Sequence, residues 1–219
     1  MTRSIRVAIA ASAVLLAVTA TIPSPVSADT FRRDVYRSDL YERQVDGRTC
    51  VPASVAMMLN LVARRDLRLA QMTILRYAQP RDALDDLVQR GTDGLGWAKA
   101  ATYFSPLAGD ATTYRVEAYD TEMAALKRAA RQIARLGKAV GLTTANGRHA
   151  VVMTGFEATA DPRLGAFTLL RVWISDPYGY WHRTYAATAS PLEVYLELDA
   201  TAYWDARWYR HYVIVTPLD

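Results

Sequence analysis

Cys50 is the only cysteine among 219 residues, and it stands where a helix is expected to begin. Pro52 suits the first turn of that helix, where its missing N–H would lack a partner in any case. Beyond it, Val55, Met58, Leu59 and Val62 fall at i, i+3, i+4 and i+7, the spacing of one buried helical face. A thiol at a helix N-terminus sees the positive end of the macrodipole and unpaired backbone N–H groups, and both favour thiolate. The chemistry this suggests is nucleophilic attack. A lone free cysteine is by default a small buried hydrophobe. The functional reading therefore needs a base, a group that orients the base and a donor for an oxyanion.

The chain has three histidines, His149, His182 and His211. A single histidine is ordinarily structural, but the neighbours of His149 set it apart. It follows the polar turn 145–148 and opens the Val-rich stretch Ala150 to Phe156, which reads as a strand. Phe167 to Ser175 alternates as a second strand, with Phe167, Leu169, Arg171, Trp173 and Ser175 on one side. The loop 160–165 joins the two as a hairpin. In an antiparallel pair the start of one strand lies beside the end of the next. His149 and Asp176 are therefore expected at one sheet edge, a base beside its orienting carboxylate. Asp176-Pro177 is also ordinary turn chemistry, and a turn is compatible with a rigidly held carboxylate. Gln44, six residues before Cys50, is placed to offer a side-chain N–H to an oxyanion, with the Cys50 backbone N–H as second donor. Taken alone, a glutamine in a polar stretch is surface.

The elements that must position these groups follow from period and punctuation. Residues 29–44 form a polar lead-in with room for a short strand. The Cys50 helix is expected to reach about Arg65. Further helices are expected at Leu69 to Ala78, closed by Pro80, and at Leu95 to Tyr103 after the loop Gly91 to Gly94. A short helical turn is expected at Asp82 to Arg90. Thr121 caps the clearest helix, which runs through Leu136 and stops at Gly137. Additional strands are expected at Thr113 to Tyr119, Ala139 to Thr143, Trp181 to Tyr185 and Tyr209 to Val215, with a helix at Leu192 to Leu196 capped by Ser190. Helices first and antiparallel strands after them imply one α+β domain over residues 29–219.

Composition bounds the rest. The chain is 51% hydrophobic and 22% charged, a balance that supports a sizeable core. Residues 1–28 read as a signal peptide, with Arg3 and Arg6 ahead of an apolar run from Val7 to Ala20 and small residues Val26-Ser27-Ala28 at the cleavage end. A secreted location follows as the expectation, with no stable membrane span after cleavage. The formal net charge of +4 falls to +2 without that segment, too little to point to nucleic acid. One cysteine makes no internal disulfide, and the histidines show no zinc-type spacing. No cofactor or metal is expected; the expected partner is a peptide or protein substrate, and oligomeric state is open.

Gln44 followed by Cys50-Val51-Pro52-Ala53-Ser54 resembles the start of the C39-like branch of papain-fold cysteine peptidases. The stretch from Gly147 to Phe156 is similar to that branch's histidine strand, and Val172 to Gly179 to its aspartate turn. The blocks occur in the family's order across about Gln44 to Gly179. The resemblance implies a papain-like fold, with a helical layer whose nucleophile helix packs on an antiparallel sheet. It also implies Cys50 as nucleophile, His149 as general base and later acid, Asp176 as orienter and Gln44 as oxyanion donor. Thr49 and Val51 depart from the pattern, which often has Asp or Asn before the cysteine and Gly after it. The implied activity is amide-bond hydrolysis. A non-catalytic binding module, or a transpeptidase or amide ligase, remain alternatives built on the same residues.

Overall fold

A computed structural model describes residues 30–83, 91–145, 147–179, 181–187, 208 and 210–218. The expected signal peptide, most of the 82–90 turn and the 192–196 helix lie outside these residues.

Cys50 is the first residue of helix α1 (Cys50–Ala63), which ends where Arg64 takes a left-handed conformation. Every residue from Val51 to Leu61 is buried, so this helix is wrapped on all sides. Helices α2 (Gln71–Ala78) and α3 (Gly94–Phe104) pack beside it. Helix α4 (Glu122–Leu136) begins at Thr121, whose hydroxyl accepts the Ala124 N–H, and stops at Gly137 in the left-handed region. Both of its expected ends are therefore met by the expected residues.

The strands are β1 (Phe31–Asp34), β2 (Tyr114–Tyr119), β3 (Val140–Thr144), β4 (His149–Ala158), β5 (Leu169–Asp176), β6 (Trp181–Ala186) and β7 (Tyr212–Pro217). They form one sheet in the order β2-β7-β3-β4-β5-β6, and each described pairing is antiparallel. β1 joins β4 on the edge that β3 leaves free: β3 pairs with residues 149–153 of β4, and β1 with residues 155–158. The fold is α+β, as the sequence implies.

Two departures refine that picture. The helices do not form one layer. Ala150, Val152 and Val215 pack with α1, α2 and α3, whereas Val151, Met153 and Ile214 pack with α4. Successive residues of a strand point to opposite faces, so α4 covers the other side of the sheet. With both faces covered, the alternation expected along β5 gives way to continuous burial from Val172 to Asp176.

Close packing fixes how α3 meets the sheet. Trp97 of α3 is almost fully buried, and its ring occupies the space a Cβ would need at Gly141 of β3, where the nearest ring atom would be 2.3 Å away. Gly141→Ala is expected to destabilise the protein by about 1–3 kcal/mol through overpacking, measured by urea unfolding. No change at all would show that Trp97 is free to move.

Candidate active site

The β4–β5 hairpin brings its two ends together as the topology requires. His149 Nε2 lies 2.7 Å from Asp176 Oδ1. The same carboxylate oxygen accepts the Tyr178 N–H at 2.9 Å, so the turn that follows β5 holds it in place. The His149 side chain is one-fifth exposed, and that of Asp176 is 7% exposed. With Nε2 engaged, Nδ1 is the ring nitrogen left for another partner. Cys50 lies close enough to this imidazole to raise its proton affinity. Cys50 and His149 line one cleft, whose walls include Val51, Thr92, Asp93, Trp97 and Trp208.

The electrostatics of His149 follow from these neighbours. Burial pushes its pKa down, but the Asp176 hydrogen bond and the hydrogen bond and charge of Cys50 outweigh it, and the value is raised from 6.5 to about 9. The imidazole is thus held protonated at neutral pH.

The other two histidines sit elsewhere. His182 stacks on Tyr36 at 3.9 Å, with its Nε2 3.1 Å from Thr154 Oγ1 and 3.5 Å from Asp34 Oδ2. Burial pushes its pKa down. His211 lies at the surface, 3.2 Å from Asp120 Oδ1.

Gln44 is drawn to the same corner by its backbone. Its N–H donates to Pro177 O at 2.9 Å, immediately after Asp176. Its side-chain Nε2 donates to Asp46 O at 2.7 Å, and its Oε1 is buried without a partner. A carboxamide nitrogen carries two N–H bonds, so one donor remains beyond the bond to Asp46.

The residues that hold this segment were not singled out by the sequence. The buried amide of Gln71, on α2, donates to Arg43 O at 2.7 Å and accepts the Val45 N–H at 3.1 Å, clamping the backbone on both sides of Gln44. Tyr41 donates its hydroxyl to Asp176 O at 2.8 Å. Asn60 of α1 donates to Glu42 at 2.9 Å. An isolated glutamine or tyrosine carries no local signal for such long-range bonds.

Thr49 explains one departure from the family pattern. It is fully buried, and its hydroxyl does not cap α1. The oxygen instead accepts the Val45 and Asp46 N–H groups and donates to Asp46 O, each at 3.1 Å. The first N–H groups of α1 have no intrahelical partner. Thr49 therefore braces the Gln44 segment and leaves those donors uncapped.

The opposite wall is built on two carboxylates. Asp93 caps α3 by accepting the Leu95 and Gly96 N–H groups at 2.7 and 2.9 Å. Asp82 accepts from the Thr92 hydroxyl and from the Asp93 N–H at 3.0 Å. Burial and the charge of Asp93 push the Asp82 carboxyl up to about 8. The signal for Asp93 was available, since Asp before a helical stretch is a capping pattern. Among the described residues no cluster of three metal-ligating side chains occurs.

A helix presenting its first residue, a cysteine, to the edge of an antiparallel sheet is the papain-like class of α+β architecture. The model of the Peptidase_C39 like family matches residues 40–207, and the chain belongs to that family. Membership points to cysteine-peptidase-type chemistry. No curated protein matches the chain.

The raised pKa of His149 has a consequence for stability. Protonation favours the fold, so the contribution is fully present below pH 6.5 and is lost as pH rises through about 9. Urea unfolding of wild type is expected to lose up to about 3 kcal/mol more across this window than His149→Gln does. Equal losses would mean that His149 gains nothing from its partners.

Proposed function

We propose that this protein is a cysteine peptidase, exported by its N-terminal segment, that cleaves a peptide bond through an acyl-enzyme on Cys50. His149 Nδ1 holds the proton that the Cys50 thiol has given up, and Sγ attacks the carbonyl carbon of the substrate. The oxyanion that forms is met by the Cys50 backbone N–H and the free N–H of the Gln44 amide. His149 then gives the proton to the leaving amine, the C–N bond breaks, and a thioester remains. Water loses a proton to His149 as it adds to the thioester, the C–S bond breaks, and the acid leaves with Cys50 Sγ restored as thiolate beside protonated His149. Asp176 keeps the ring oriented and stabilises it while it is charged.

The observation that carries this reading is the 2.7 Å contact between His149 and Asp176, on a ring that also interacts with Cys50. Family membership supports it, as do the uncapped N-terminus of α1 and the bond from Gln44 to Pro177. The basic and then apolar character of residues 1–20 supports export.

The test is digestion of a peptide library under reducing conditions, with new termini read by mass spectrometry. Wild type is expected to cleave, Cys50→Ala to be inactive, and His149→Gln to lose about 10²–10⁴-fold in rate. A substrate-derived thioester on Cys50, trapped at low pH, is the expected intermediate. Cleavage that survives Cys50→Ala would overturn the proposal.

A further inference from the structure

The far end of the β4–β5 hairpin carries a second feature. Its loop arches beside α4 and encloses an open depression lined by Arg131, Arg135, Arg163 and Leu164. Arg131 and Arg135 lie on the exposed face of α4, and Lys127 stands one turn before Arg131. Lys127 and Arg131 both lie over the buried Phe167 ring, at 5.8 and 5.1 Å, which holds the two cations on one side of the hairpin. Asp161 is tied to Arg163. At the tip, Leu164 is 86% exposed, more than any other large hydrophobic among the described residues.

We propose that this face is a docking surface for an anionic phospholipid bilayer. A leucine projecting from a ring of Lys and Arg matches the interface of such a membrane: the side chain enters the acyl boundary while the cations meet headgroup phosphates. Arginine suits this role because its planar fork donates two N–H groups to one phosphate. A soluble polyanion would use the arginines but gain nothing from the exposed leucine. Among the described residues no helix is long and apolar enough to cross a membrane. Geometry gives it a consequence. β4 runs from His149 to Ala158, and ten residues of strand span about 30 Å. Docking by the hairpin tip holds the Cys50 cleft about that far from the lipid, open to substrates in the aqueous phase.

The experiment is vesicle co-sedimentation of the full chain, comparing phosphatidylglycerol with phosphatidylcholine vesicles. Wild type, Arg131→Gln/Arg163→Gln and Leu164→Ser are run in parallel. Arg3, Arg6 and the apolar stretch Val7 to Ala20 are common to all three proteins, so the readout is the difference between them. Wild type is expected to bind phosphatidylglycerol about 10- to 30-fold more tightly than the double arginine variant. That difference should vanish on phosphatidylcholine and shrink in high salt. Leu164→Ser should bind several-fold more weakly than wild type. Circular dichroism should be unchanged in both variants. Binding of the double variant equal to wild type would overturn the proposal. So would wild-type binding by Leu164→Ser together with full competition by soluble polyphosphate, which would assign the face to a soluble polyanion.

Discussion

The contact between His149 and Asp176 exists only while β4 and β5 hold one register. A slip of one residue would turn every side chain of a strand to the other face of the sheet. Here that would exchange the residues packed on α4 for those packed on α1. Because both faces are buried, the cost is large and the register is strongly specified. The pairing is not uniform: it shifts between Met153 and Gly155 and again between Glu157 and Ala158. β1 runs beside that irregular half of β4.

A fixed hairpin does not by itself bring a thiol to the imidazole, because Cys50 belongs to a different layer. The segment 41–46 makes that connection. It bonds to the Asp176 turn through Tyr41 and Gln44, to α1 through Glu42 and Thr49, and to α2 through Gln71. These bonds lie at partly buried positions, and each is worth about 0.5–1.5 kcal/mol net. The segment therefore ties α1 to the turn that follows Asp176. The start of α1 is the exception, since Thr49 gives it no side-chain cap.

The parts of this site legible in the sequence were those with local or near-local causes. A proline two residues after Cys50 marked the helix start, and hairpin topology alone set His149 beside Asp176. Thr121 and Gly137 marked both ends of α4. Gln44 was placed near the site by its spacing from Cys50, but its backbone bond to Pro177 and its side-chain bond to Asp46 were not foreseeable. What could not be read depended on long-range pairing. Nothing in Phe31–Asp34 says that it pairs with β4, and nothing in Gln71 says that it clamps residues 26 and 28 positions earlier. The position of α4 on the opposite face followed from which residues of β4 its apolar stripe meets, a fact of packing rather than of period.

Because Cys50 is the only cysteine, alkylation of the protein reports on one atom. The central claim is that His149 holds the proton that Cys50 gives up. The direct measurement is the iodoacetamide alkylation rate at pH 6 for wild type and for His149→Gln. The account predicts that wild type reacts at least about tenfold faster, since an unassisted thiol near its ordinary pKa is almost wholly protonated at that pH. Equal rates in the two proteins would contradict it.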